Sequence, residues 1–302
     1  MIEYILGENG LVNKKSSDSK INLCLGFFDG LHVGHKYLIQ QAKEANVRLG
    51  VVTFDGSLKS ITNKRKNGLI TTIEDRSKIL EELGVDVLFI IEFTQVIMDM
   101  EPVEFIEKFL KPLDINTIYV GADFSFGKHA SGNVELLKKY FNVEVVDFIM
   151  DDSKKISTST IFQYLSEGEI SKANRLLGRE YFIRGKVIHG FSAGSKKLGF
   201  PTANIEMTGQ YIFPKNGVYA TKIEIDGKEY SSMTNIGIHP TINRLDNPSI
   251  ETNIFDYHED IYDKVIKLSF YDYIRSEKNF NSVEELINQL NRDKITIKRL
   301  LA

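Results

Sequence analysis

An α/β half followed by an all-β half, closed as a barrel and finished by a helix, is the fold class that the sequence predicts. Three observations carry it. Between residues 21 and 177, short β-branched or apolar runs alternate with amphipathic stretches. From residue 181 onward, apolar positions recur every second residue, with short polar turns between the runs. Residues 282–301 return to helical spacing.

The strands of the first half are expected at 21–27, 48–54, 86–91, 117–121 and 143–148. The helices are expected at 36–45, 73–83, 102–111 and 133–140. Strands alternating with helices predict a parallel sheet covered on both faces. Ligands of such sheets bind beyond the carboxyl ends of the strands. The polar patch 13–20 reads as a solvated loop. In the second half the runs 182–188, 217–225, 228–235, 250–255 and 264–270 alternate in and out. Asp226-Gly227 between two of them is a hairpin signal. Val283, Leu286, Ile287 and Leu290 give the terminal helix its apolar stripe. The division is expected near residue 180, with domains 1–180 and 181–302.

The 38 basic and 41 acidic residues give a net charge of −3, which excludes a broadly basic nucleic-acid binder. The single cysteine, Cys24, allows no internal disulfide and fits a reducing compartment. It lies in the apolar run INLCLGFF and reads as a small core residue. No apolar run approaches the roughly 20 residues that span a bilayer, and the first residues lack a signal-peptide core. The expectation is a cytoplasmic protein acting on small molecules, without nucleic acid or membrane. The oligomeric state is not encoded in any motif.

Two stretches concentrate chemistry. In GFFDGLHVGH, at the end of the first expected strand, Gly26 and Gly30 allow a tight turn and close ligand approach. Gly34 stands where a helix begins, and such N-termini favour anions. His32 and His35 can donate hydrogen bonds to phosphate oxygens. In HGFSAGSKKLGFPTANI, Gly190, Gly194 and Gly199 surround Lys196 and Lys197, a cationic loop able to cover polyphosphate. Thr202 and Asn204 offer hard oxygen ligands suited to Mg²⁺. Glu251, on an expected strand, can accept a proton from an attacking hydroxyl. GADFSFGKH has the look of a P-loop, but five residues separate its glycines and His129 stands where a metal-binding hydroxyl is needed.

These motifs carry a resemblance. GFFDGLHVGH resembles the signature of the HxGH nucleotidyltransferases, in the Phe-Asp-Gly form of their flavin branch. VGADFSFGKHASGN resembles that branch's second segment, and ISTSTI its serine/threonine-rich phosphate segment. GFPTANI, NGVYAT, NIGIHPT and the Glu251 segment with DIYDKVIKLSF resemble, in order, the riboflavin kinase domain. The whole is similar to the bacterial bifunctional riboflavin kinase/FMN adenylyltransferase family. The resemblance implies a Rossmann-like N-terminal domain and a C-terminal six-stranded antiparallel barrel with a terminal helix. It implies ATP as co-substrate, Mg²⁺ as cofactor, and riboflavin, FMN and FAD as substrates or products.

Carried over by position, the resemblance makes Glu251, His32 and His35 catalytic and Thr202 and Asn204 metal-binding. It makes Gly26, Phe28, Asp29, Gly30, Gly34, Asp123, Ser157, Thr158, Ser159, Gly190, Gly194, Lys196, Lys197, Gly199, Pro201 and Asn235 substrate-binding. Three departures bear on the adenylyltransferase half. Phe162 stands where relatives carry an Arg, FDGSLKS replaces a Pro-His-Pro segment, and Phe93 is followed by Thr94 instead of Asp or Asn. The run Lys64-Arg65-Lys66 is a candidate source of the missing charge. The alternative is a monofunctional riboflavin kinase with a degenerate nucleotide-binding or assembly domain in front.

Overall fold

A computed structural model describes residues 1–10, 20–56, 68–152, 154–189, 200–237 and 248–302. They form two compact units, Met1–Thr158 and Ser159–Ala302.

In the first unit the strands are, in chain order, β1 (Ile2–Leu6), β2 (Ile21–Leu25), β3 (Arg48–Phe54), β4 (Val87–Ile91), β5 (Ile115–Gly121), the short β6 (Ser125–Phe126) and β7 (Gly132–Asn133), β8 (Val143–Val146), and the short β9 (Met150–Asp151) and β10 (Lys154–Lys155). The main sheet runs β1-β4-β3-β2-β5-β8, all parallel, while β6–β7 and β9–β10 are two-stranded antiparallel ribbons. β1 was not among the expected strands; its IEYIL run pairs with β4, Ile2 opposite Val87. β2 is buried along its whole length, as its unbroken apolar run requires in a sheet covered on both faces. Cys24 is fully buried there, and burial pushes its thiol far up. Asn22, the polar residue of that strand, is satisfied by donating to Ala42 O at 2.9 Å.

The helices are α1 (Val33–Gln41), α2 (Ile73–Glu82), α3 (Gln95–Met98), α4 (Pro102–Phe105), which continues as a π-turn over Ile106–Leu110, and α5 (Val134–Lys138). Their starts follow capping chemistry: the side chains of Thr72, Thr94 and Asn133 each accept an N–H three residues on. α1 starts three residues before the expected position 36, because His32 serves as its cap. From β2 the chain builds outward through β3 and β4, then returns to place β5 on the other side of β2. The carboxyl ends of β2 and β5 thus flank the point where the strand order reverses, the place where open α/β sheets hold ligands.

The second unit contains α6 (Thr158–Glu167) from Ser159 onward and α7 (Ile170–Leu177), then β11 (Tyr181–Ile188), β12 (Ala203–Met207), β13 (Gly217–Ile225), β14 (Lys228–Gly237), β15 (Ser249–Ile254) and β16 (Val265–Arg275), and finally α8 (Val283–Leu300). The strands close as a barrel in the order β11-β12-β15-β14-β13-β16. Beyond the five expected runs, the sixth strand is β12. Its five residues begin two places after Pro201, and the alternation is too short to read. The expected division near 180 differs from the compact units by α6 and α7. Asn174 of α7 donates to Phe270 O at 2.8 Å and accepts from Tyr181 N at 2.7 Å, which ties the helix to β16 and β11.

Alternation sends Tyr219, Thr221, Leu268 and Phe270 into the barrel, where all are fully buried. A hydroxyl row crosses that interior: Thr221 meets Ser232 at 2.8 Å and Thr234 at 2.7 Å, and Thr234 meets Thr252 at 2.9 Å. The barrel's outer face presents Val218, Ala220 and Met233, with Phe255 just past β15, to Ile287, Leu290 and Ile297 of α8. Burying Ile297 contributes about 2 kcal/mol. Val283, at the first turn, is exposed; the stripe becomes effective only from Leu286 onward.

Candidate functional site

In the first unit the cradle begins where β2 ends. Phe28 adopts φ 53°, Gly30 φ 77° and Leu31 φ 44°, so three residues of positive φ turn the chain sharply into α1. A Cβ at Gly26 would lie 3.0 Å from the Phe28 ring, and one at Gly34 would lie 3.1 Å from the His32 ring. At both positions a side chain would crowd a ring, and glycine leaves room for it. His32 Nδ1 accepts from His35 N at 3.2 Å, which caps α1 and leaves the ring proton on Nε2. The two imidazoles stack at 3.6 Å, and the Phe28 ring meets His35 edge-on at 5.1 Å. Among the described residues His35 Nδ1 is buried without a hydrogen-bond partner, and such an atom marks a place where a ligand can bind.

Asp29 does not face this opening. Its carboxylate accepts from Ile70 N and Thr71 N, both at 3.0 Å, and from the Thr71 hydroxyl at 3.1 Å. It is 1 % exposed and pins the 70–71 segment beneath the turn. Phe28, equally buried, shapes His35. The side chains of both residues thus support the turn. Below them lies a residue that sequence reading missed. Arg76 is fully buried, and its Nη1 donates to Phe27 O at 2.9 Å, Thr53 Oγ1 at 2.9 Å and Phe54 O at 2.8 Å. One guanidinium thus joins the carboxyl ends of β2 and β3.

Burial, with the Lys155 ammonium nearby, lowers His32 to about 4. Burial, then His32, Arg76 and Lys155, hold His35 well below the ordinary imidazole value. Both rings are therefore neutral near pH 7, N–H donors with a hydrogen-bonding and not an ionic role. The fixed positive charge comes from Lys155, a second residue missed in the sequence. It ion-pairs with Asp123, which follows β5, and lies 3.7 Å over the Phe148 ring. The histidines after β2 and Asp123 after β5 thus face a common charge at the switch point. Thr158 Oγ1 donates to Asp29 O at 3.4 Å, and Ser157 precedes it. Ser159 belongs to the second unit. Phe162 is half-buried on α6, and Thr94 caps α3 while donating to Glu8 at 2.8 Å. The P-loop alternative is excluded by geometry: a 3₁₀ turn with His129 at φ 53° follows the glycines, where a helix would be needed.

In the second unit, strand register assembles the site. Asn204 of β12 lies opposite Glu251 of β15, and Glu251 lies opposite Asn235 of β14. Directly opposed residues share a face, so the three form one row across three strands. A cavity of about 260 Å³ is lined by Thr202, Asn235, Glu251 and Asn253, by Phe200, Val218 and Met233, and by Leu286 and Leu290 of α8. Residues 275–280 close it with Arg275, Glu277, Lys278 and Phe280. A second cavity of about 350 Å³ takes Pro201, Thr202, Ala203, Thr252, Tyr257 and Tyr262, and Tyr262 stacks on His189 at 3.8 Å. Thr202 borders both. Asn253, also missed, is 5 % exposed and donates to Pro201 O at 2.7 Å, which fixes the segment that carries Thr202.

The aromatic walls of the first cavity are Phe200 and Phe280; Phe255, Tyr257 and Tyr271 do not line it. Gly190, Gly194, Lys196, Lys197 and Gly199, and the run 64–66, lie outside the described residues. Among the described residues no group of three or more His, Cys, Asp or Glu side chains could hold a metal ion. Thr202 and Asn204 remain a neutral oxygen pair, the kind of partial set that suits Mg²⁺ when phosphates and water complete its shell.

Comparison with known proteins decides the family. The FAD synthetase family model matches residues 14–160, and the riboflavin kinase model matches residues 177–301. The bifunctional riboflavin kinase/FMN adenylyltransferase of Bacillus subtilis is 37 % identical over 292 residues, covering 93 % of this chain and 92 % of its own. The chain belongs to the bifunctional riboflavin kinase/FMN adenylyltransferase family. The Listeria monocytogenes member is 38 % identical over 281 residues, covering 90 % of this chain and 89 % of its own. With both domain models matched, the monofunctional alternative is not favoured. A crystal structure named as a macrolide-efflux protein from Streptococcus pneumoniae superimposes with a TM-score of 0.89 at 30 % identity, covering 99 % of each chain. That name speaks of the neighbour alone. Among the described residues here, no helix is long and apolar enough to cross a membrane.

Proposed function

We propose that the chain makes FMN from riboflavin in its second unit and FAD from FMN in its first, using ATP in both reactions. The observation that carries the first reaction is the row Asn204–Glu251–Asn235, of which Glu251 and Asn235 line, with Thr202, a cavity with an apolar floor. Riboflavin's ring system occupies that cavity, and its ribityl chain extends toward Glu251. ATP occupies the second cavity, so that Thr202, common to both, marks where its γ-phosphate meets the hydroxyl. Glu251 accepts the proton as the hydroxyl oxygen bonds to the γ-phosphorus and ADP departs. Thr202 and Asn204 would hold Mg²⁺; its chemistry, when bound, is neutralisation of phosphate charge. Asn253 holds Thr202 in place through Pro201.

In the first unit an FMN phosphate oxygen attacks the α-phosphorus of ATP. The bond to the bridging oxygen breaks and pyrophosphate leaves. Neutral His32 and His35 donate N–H groups to the charge that grows on these oxygens, with no covalent intermediate. Lys155 exchanges Asp123 for phosphate, and this supplies in part the charge that Phe162 cannot. Asp123, Ser157 and Thr158 position the nucleotide.

The test uses the purified whole chain with ATP and Mg²⁺. Riboflavin should yield FMN and ADP, and FMN should yield FAD and pyrophosphate. FMN without FAD as end product would restrict the function to the kinase and refute the reading of the histidine cradle.

A further inference from the structure

The kinase cavity is closed by a segment with no regular structure, residues 276–280, that follows β16 directly. Arg275, the last residue of β16, lines the cavity and starts this segment. What fixes it comes from elsewhere in the chain. Asp293 and Ile297 are the two buried residues of α8. An acid at the core-facing position of an amphipathic helix costs stability unless it is paired. Here it is paired completely. Its Oδ2 accepts from Arg275 Nε at 2.8 Å and lies 2.8 Å from Arg275 Nη2. Its Oδ1 accepts from Gln289 Nε2 at 2.7 Å, one helical turn earlier. Arg275 Nη1 donates back to Ser276 O at 3.0 Å, so the same guanidinium also fixes the first residue of the closing segment.

An arginine carries five N–H donors. Three are engaged by these contacts, and among the described residues each terminal nitrogen keeps one over. Arg275 is thus immobilised by a buried acid while retaining donors at a cavity that also holds Glu251 and Phe280. A planar ligand with carbonyl oxygens at one end and an apolar body suits such a wall: apolar contacts hold the body, and directional donors fix its orientation. Riboflavin's ring system has that chemistry.

Resting on the kinase reading above, we infer that Asp293, supported by Gln289, is a positioning residue for riboflavin. It holds Arg275 as the oriented polar wall of the cavity and, through Ser276, holds the segment that closes it. Asp293 itself touches no substrate. The pair therefore governs affinity for the flavin more than the rate of phosphoryl transfer.

The experiment measures riboflavin-dependent ADP formation at saturating ATP for the whole chain and for D293N, R275K, the double variant and Q289L. FMN adenylylation and thermal melting are followed on the same preparations. D293N and R275K should each raise KM for riboflavin about tenfold with kcat within about twofold, and the double variant should add little, because the two residues act as one unit. FMN adenylylation should stay unchanged. Q289L, which removes one hydrogen bond and keeps the carboxylate, should raise KM about threefold. Should D293N fail to fold, Q289L decides. A lowered melting temperature with wild-type KM, or additive effects in the double variant, would overturn the inference and leave the kinase reading intact. No riboflavin-dependent ADP from the unaltered chain would remove the kinase reading, and the inference with it.

Discussion

The two sites reach readiness by opposite means. In the first unit the polar groups sit on a turn after a strand and are held by one another. His32 caps the helix that bears His35, Asp29 is consumed by the 70–71 segment, and Arg76 ties two strand ends together. In the second unit Asn204, Glu251 and Asn235 stand on strands, and register alone puts them side by side. A turn must spend buried hydrogen bonds to hold a shape. A strand shares that task with the whole sheet, so its side chains can stay half-exposed toward a cavity. Preorganisation in the first unit is therefore local and sensitive to single residues below the surface. In the second it is distributed.

The sharpest way to break this contrast is to remove, one unit at a time, the groups proposed to act on substrate. E251Q should lower kinase kcat about 10³-fold with melting nearly unchanged, because the strand register does not depend on the carboxylate; FMN adenylylation by the same protein is the control. H35N should lower FAD formation about 10²-fold, the usual loss for one fixed donor at a developing charge, with riboflavin phosphorylation intact.

A third prediction follows from the depressed histidines. The ordinary value of His32, 6.5, falls to about 4 in the folded chain. Below pH 6.5 the unfolded chain binds the proton that the folded chain refuses, so stability falls as pH drops toward 4. The loss at the lower end is about 3 kcal/mol for this residue. Denaturant melts of the wild type and H32Q between pH 4 and 7 measure it; identical pH dependence would break the contrast. K155M should raise KM for ATP in adenylylation several-fold, as the proposed role of this cation toward phosphate predicts. The smallest effect is expected of N253A, about 1 kcal/mol of kinase transition-state binding, read from kcat/KM.

Much of both sites was legible in the chain. Glycines and histidines clustered at a strand end announce a cradle, and Thr202, Asn204 and Glu251 carry hard oxygens in an alternating pattern. What escaped was the support. Arg76 bonds to oxygens that lie 49, 23 and 22 residues earlier, and in sequence a lone Arg on an amphipathic helix looks solvated. Lys155 pairs with Asp123 across 32 residues, and Asn253 with Pro201 across 52. Asn253 alone left a trace, two places after Glu251 on the same face of the strand. Of the fold, β1 and β12 were missed because short runs give alternation too little length. α6 and α7 were passed over although α7 is amphipathic and ends at Gly178, in the left-handed conformation typical of a helix stop.

The bond pattern of Asn174 reaches past architecture into how the activities could be made to live apart. A gene fragment beginning at codon 181 would deprive Phe270 and Tyr181 of their shared amide and bare the surface that Leu176 and Leu177 keep dry. A fragment meant to keep the barrel's β11 and β16 bonded as they are here should therefore begin ahead of α7.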